Sequence, residues 1–102
     1  MSLHEPPTAI FAANDLAASG VLTHLRELGV EVPGDVSVMG YDDTVLADLG
    51  LLALTTVHQP RQQFGSRATE LLVERIAGRT AAKHELIAPK LVVRATTGPV
   101  KE

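Results

Sequence analysis

Apolar and polar positions fall in blocks along this chain, and the period changes from block to block. TAIFAA, residues 8–13, is a short apolar run entered from Pro6-Pro7 and reads as a buried strand. Asn14-Asp15 follows with side-chain oxygens suited to accept the unpaired N–H groups that open a helix. Beyond it Ala18, Val21, Leu22, Leu25 and Leu28 recur at helical spacing, and Gly29 stands where a helix C-terminal glycine belongs. Pro33-Gly34-Asp35 predicts a turn, and VSVMG at 36–40 a second strand. LTTVHQ at 54–59 is a third strand with β-branched content. Pro60 suits a first helical position, where its missing N–H costs nothing. Phe64, Ala68, Leu71, Leu72 and Ile76 form the next stripe, which Gly78 ends. Residues 44–53 fit either a short helix broken by Gly50 or an apolar loop. Residues 79–85 read as a polar linker, and LIAP and KLVVRATT as closing strand segments.

This order, β-α-β-(α)-β-α-β, predicts an α/β fold: a mostly parallel sheet flanked by helices. The uniformly apolar strand runs fit a parallel sheet buried on both faces. A length of 102 residues is that of one small domain, and 45% hydrophobic with 21% charged residues is an ordinary soluble composition. With one Tyr, two Phe and no Trp, the core must be aliphatic.

Charge and motifs narrow the function. The formal charge is −3 and the nine basic residues are scattered, which argues against a nucleic-acid grip by this piece alone. There is no cysteine, so disulfides and thiolate chemistry are excluded. His4, His24, His58 and His84 lie far apart, with no HxxxH spacing, so no metal site is expected. Ser19, Ser37 and Ser66 sit in no GxSxG context, and no GxGxxG or GxxxxGK[ST] phosphate loop is present. An enzyme is disfavoured and no cofactor is expected. No stretch approaches the ~20 apolar residues of a membrane span, and MSLHEPPT lacks the pattern of a signal peptide. Residues 1–7 read as a disordered start or cloning scar, and 99–102 as a tail.

The stretch VSVMGYDD poses a sharper question, because an apolar strand there ends on Tyr41, Asp42 and Asp43. In open parallel sheets, ligands bind at the carboxyl ends of strands. Two strands here finish on polar residues at that end, one on Asn14-Asp15 and one on Tyr41-Asp42-Asp43. Taken singly, each pair reads as a cap or a turn. Together, at equivalent strand ends, they read equally well as a rim that binds hydroxyls, the amide donating and accepting and the carboxylate accepting. A catalytic dyad does not fit, since side chains at i and i+1 of extended backbone diverge. On the first helix, Leu16, Gly20 and Thr23, with Ser19 beside them, make a small, weakly polar face opposite the core stripe. From spacing alone that face reads as packing against a neighbour within the domain.

AIFAANDLAASGVL, GVEVPGDVSVMGYDDT, LTTVHQP and the late LVVRATT, in that order and spacing, resemble the C-terminal part of the effector-binding domain of lactose/galactose-repressor-type transcriptional regulators. The resemblance runs from about Thr8 to Gly98. It implies a partial periplasmic-binding-protein-like lobe, in which 8–58 is the C-lobe βαβ unit, 59–85 a helix of the other lobe and 86–98 a return strand. It also implies that Asn14 and Asp42 contact a small-molecule effector, a sugar or related polyol, with Gln59 a weaker carry-over, while Asp15 caps the helix. Leu16, Ser19, Gly20 and Thr23, with Val45, Leu49 and Leu51, become candidates for a homodimer interface. DNA would be reached only through a helix-turn-helix domain that does not precede Thr8 here, and the parent would be cytoplasmic. Many members carry proline just before LTT, where this chain has Leu51-Leu52-Ala53. The chain reads as a piece of a two-lobe fold, expected to bind sugars weakly or not at all and to self-associate. One rival is the corresponding lobe of a periplasmic sugar-binding transport protein. A second is an α/β enzyme fragment using Asp43 or His58 as acid or base.

Overall fold

The computed structural model describes all 102 residues. Strands β1 (Ala9–Phe11), β2 (Ser37–Met39), β3 (Thr56–His58) and β4 (Lys90–Val92) alternate with helices α1 (Asp15–Glu27) and α2 (Arg61–Ile76). β1 and β2 pair in parallel, with Ala9 opposite Ser37 and Phe11 opposite Met39. β3 and β4 pair antiparallel, with Thr56 opposite Val92 and His58 opposite Lys90. The expected mostly parallel sheet is thus two small two-stranded sheets of opposite sense. Parallel alignment continues beyond β2 as isolated bridges from Met39 to Thr55 and from Asp42 to His58.

A sheet this small leaves β1 on an edge, and Ala9 and Phe11 are exposed rather than buried. LIAP forms no strand. The reason that β2 and β3 do not merge into one ladder lies in residues 94–98, which enter between them. Val38 N–H donates to the Thr96 carbonyl at 2.8 Å, and Thr96 Oγ1 donates to the Val38 carbonyl at 2.7 Å. Thr55 N–H donates to Thr96 Oγ1 at 2.9 Å. The buried threonines of LTT and ATT therefore satisfy backbone groups that a continuous ladder would have paired.

Two compact units result: residues 1–58 with 90–102, and residues 59–89. The core of the first is Ala12, Ala18, Leu25, Val36, Val38, Ala47 and Leu54, with Ile10, Val21, Leu22, Val30 and Val32 packed against it. It is aliphatic throughout, as the scarcity of aromatics requires. The stripe of α1 supplies Ala18 and Leu25, whereas Leu28, already at the C-cap, is exposed. Gly29, at φ +73°, then closes a Schellman turn, its N–H on the Arg26 carbonyl (3.0 Å) and that of Val30 on the Leu25 carbonyl (2.9 Å). Residues 44–53 are a succession of turns rather than a helix. Ala53 there has φ +39°, a value that a proline ring cannot reach.

In the second unit α2 begins one residue later than expected, with Pro60 as the N-cap and no side-chain cap. Its apolar stripe is not covered: no residue of α2 is buried. Residues 79–85 are pinned to it by charge. Arg67 pairs with Glu70 (2.7 Å) and Glu85, and Lys83 with Glu74 (2.5 Å).

Candidate functional site

Extending the β1–β2 register past Phe11 and Met39 by three residues on each strand reaches Asn14 and Asp42. Ala12 N–H to the Met39 carbonyl (2.8 Å) continues that register, and Asp15 N–H to the Tyr41 carbonyl (3.0 Å) ties the two strand ends together one residue out of it, where α1 begins. Asn14 and Asp42 thus follow the carboxyl ends of neighbouring parallel strands. His58 ends β3 beside Asp42, whose N–H donates to the Val57 carbonyl at 2.9 Å.

Asn14, not Asp15, caps α1. Its backbone is extended and its Oδ1 accepts from Ala17 N–H at 2.8 Å. The cap takes one lone pair of Oδ1 and leaves the Nδ2 donors and a second lone pair for other partners. Asp15 has another task. It is fully buried in the first turn of α1, where the helix dipole favours an acid. Its Oδ2 accepts from Thr44 N–H (2.6 Å) and Thr44 Oγ1 (2.9 Å), and its Oδ1 from Thr56 Oγ1 (2.6 Å). The turn 41–44 is therefore gripped at both ends by one residue, Tyr41 through the Asp15 backbone and Thr44 through its carboxylate. Gly40 is glycine for the same reason, because a Cβ there would meet Asp15 Oδ1 at 2.6 Å and Leu54 Cδ2 at 2.9 Å.

The two acids of GYDD separate as divergent neighbours should. Asp43 turns to Arg94 and His58, its Oδ1 2.8 Å from Arg94 Nη2 and its Oδ2 3.0 Å from His58 Nδ1. Burial works against its charge, but the hydrogen bonds from Arg94 and His58 outweigh burial and hold the carboxyl below its usual range. Tyr41, which a solvated loop would not need, stacks on Phe11 with ring centroids 6.5 Å apart. Spacing did not single out Arg94 or Thr56, because both come from distant segments that only the fold brings to this turn. Gln59 is the first residue of the second unit, with its carbonyl accepting from Arg61 N–H at 2.7 Å.

The interface candidates gather on the outer side of the first unit. Leu16 is 70% exposed, Val45 80% and Leu51 92%, and Leu49 is also open to solvent. The Asp15–Thr44 contact brings the neighbours Leu16 and Val45 close, and Thr23 and Leu51 line one cavity of about 370 Å³ with Leu22, Arg26 and Leu52. Ser19 and Thr23 turn their hydroxyls back onto the Leu16 and Ser19 carbonyls (2.6 and 2.9 Å), and nothing lies within 4 Å of a Cβ built on Gly20. On that face Leu16, Gly20 and Thr23 are exposed and Ser19 is half-buried, and Gly20 borders a cavity lined also by Met1, Leu3 and Pro7.

An amide and a carboxylate thus follow the carboxyl ends of adjacent parallel strands, the place where open α/β sheets bind ligands, over an aliphatic core. The family model of the periplasmic binding protein-like domain matches residues 1–97, and the chain belongs to that family. It is 41% identical over 97 residues to the HTH-type transcriptional repressor PurR of Vibrio atlanticus (strain LGP32), covering 94% of this chain and 29% of the repressor. The chain therefore spans under a third of the length of the curated relatives it matches. Among solved structures it resembles a LacI transcriptional regulator from a Rhodococcus species with a TM-score of 0.91 at 42% identity, over 99% of this chain and 37% of that one. The lac repressor dimer bound to operator and the anti-inducer ONPF matches at TM-score 0.82 and 35% identity, over 89% and 32% of the two chains. A LacI-family regulator from Enterococcus faecium with bound ribose matches at TM-score 0.83 and 30% identity, over 96% and 37%.

Proposed function

We propose that this chain is part of the effector-sensing domain of a transcriptional regulator, and that its rim holds a small hydroxyl-rich effector. The observation that supports the reading is that β1 and β2 pair in parallel and are followed, just past their carboxyl ends, by Asn14 and Asp42. Asn14 donates from Nδ2 while its Oδ1 stays on the helix cap, and Asp42 accepts from ligand hydroxyls. Gln59 is a weaker candidate that the resemblance alone carries, and the two units belong to the two lobes of the parent. Ribose in the Enterococcus relative supports a sugar or related polyol as the effector class.

The parent reaches DNA through a helix-turn-helix domain, works in the cytoplasm and forms a homodimer through Leu16, Ser19, Gly20, Thr23, Val45, Leu49 and Leu51. An effector that binds one lobe arrangement better than another shifts the population between them, and through it the affinity for the operator. The transport-protein alternative shares the lobe, but the repressors and regulators matched along nearly the whole chain favour the regulator.

The test is Asp42→Ala and Asn14→Ala in the intact regulator, with operator binding followed by fluorescence anisotropy as effector is added. Asp42→Ala should leave operator binding in place and abolish the effector response. An unchanged response removes Asp42 from the site.

A further inference from the structure

Asp42 and Asp43 have φ of +108° and +57°, left-handed backbone that side-chain-bearing residues rarely adopt. Such conformations persist only where the surroundings over-determine them. Here the backbone is pinned on both sides, by Asp42 N–H on the Val57 carbonyl (2.9 Å) and by Thr44 on Asp15 (2.6 Å). Within the left-handed pair itself, Asp43 N–H donates to Thr56 Oγ1 at 3.3 Å and the Asp43 carboxylate has both oxygens engaged, by Arg94 at 2.8 Å and His58 at 3.0 Å. Arg94 is itself fixed: its Nη1 donates to the Leu54 carbonyl (2.9 Å), its N–H to Thr55 Oγ1 (3.0 Å), and its Nε lies 3.7 Å from Asp48. Asp43 and Arg94 are only 16% and 19% exposed at the side chain, so the pair is shielded enough to hold geometry.

We propose that Arg94, acting through Asp43, is a positioning residue for Asp42. The guanidinium holds Asp43, Asp43 holds the left-handed turn, and the turn sets the direction in which the Asp42 carboxylate leaves the backbone. The role as an effector-site device rests on the reading of Asp42 above. It gives the LVVRATT and LTTVHQP segments a shared purpose, since Arg94 and His58 are the two anchors of one acid in GYDD. Released from Arg94, residues 42–43 can relax to negative φ, which would swing the Asp42 side chain away from the rim without removing a ligand contact as such.

The test uses isotope-labelled chain, with scalar and residual dipolar couplings reporting φ at residues 42 and 43 in the parent, Arg94→Gln and Arg94→Lys. The expected result is positive φ in the parent and negative φ in Arg94→Gln, with shift changes confined to residues 41–44, 57–58 and 94. Arg94→Lys keeps the charge but not the two-pronged contact, and it should relax the turn as well. It also serves as the readable variant if Arg94→Gln does not fold. A merely structural role for Arg94 would lower the melting temperature and leave both φ values positive, and that result overturns the proposal. Titration with ribose, read at the Asp42 and Asn14 amides, separates the two layers. A parent response lost in Arg94→Gln supports positioning. A parent response that persists undiminished in a relaxed turn overturns it. Absence of any response from the unsubstituted chain is what a piece of a two-lobe fold is expected to give, and the positioning claim is then decided by the φ values alone.

Discussion

Removing the Asp15 carboxylate is the perturbation for which the structure predicts the largest loss of stability. Its oxygens take three hydrogen bonds, two from Thr44 and one from Thr56, at 2.6–2.9 Å, and both Asp15 and Thr56 are fully buried. In Asp15→Ala the Thr56 hydroxyl is stranded without water, which costs about 1–3 kcal/mol. Thr44 is half-buried, so water recovers part of its loss and leaves a further ~1–2 kcal/mol. A total of about 2–5 kcal/mol is a large share of the ~5–15 kcal/mol that stabilises a domain of this size. It corresponds to a fall in melting temperature of roughly 8–40 °C. Asp15→Asn behaves differently. Its amide oxygen keeps both Thr44 bonds, but its NH₂ can only donate to Thr56 Oγ1, whose own O–H then loses its acceptor, so the cost is about 1–3 kcal/mol, below that of Ala because the Thr44 bonds remain. Urea unfolding followed by far-UV circular dichroism measures both variants. The reasoning is refuted if Asp15→Ala costs less than about 1 kcal/mol, below the penalty for one stranded buried donor. It is equally refuted if Asn is no better than Ala.

Three further outcomes follow from the same turn. Gly40→Ala drives a methyl into Asp15 Oδ1 and Leu54, costing about 1–3 kcal/mol. Because it strikes the same carboxylate, its cost should shrink in the Asp15→Ala background, as a double-mutant cycle in urea will show. Asn14→Ala removes the α1 cap and should cost about 1 kcal/mol in the same assay, independently of any effect on ligand. Asp43, whose folded carboxyl is held below its usual range, binds its proton less readily folded than unfolded. Its stabilising contribution is complete above about pH 4 and is lost as pH falls below that through the depressed value. Urea midpoints measured from neutral to acid pH should therefore fall less steeply in Asp43→Asn than in the parent, and parallel curves would contradict this.

Elements whose cause is local were legible in the sequence. The α1 start, its stripe and its glycine stop were readable because cap, period and left-handed residue lie within one segment, and Asn14 and Gly29 do what such residues do. What escaped was set by distant partners. Asp15 reads as a cap by position, yet Thr44 and Thr56, 29 and 41 residues away, make it an anchor. Phe11 reads as core, but its strand lies on an edge in so small a sheet. The mostly parallel sheet was expected from apolar runs, and period alone cannot show that residues 94–98 wedge between β2 and β3 with threonine hydroxyls in place of a ladder. Of the rim, Asn14 and Asp42 were visible as polar residues at strand ends. The left-handed backbone at Asp42-Asp43 was not, because neither residue announces it as glycine would.

Central to the proposed function is that Asn14 and Asp42 together hold one small molecule. A crystal structure of the intact regulator with its effector measures this directly. It should place the Asp42 carboxylate and the Asn14 amide within hydrogen-bond reach, about 2.6–3.2 Å, of hydroxyls on the same ligand, with Asn14 still capping α1. An effector bound with full occupancy but touching neither residue would contradict it.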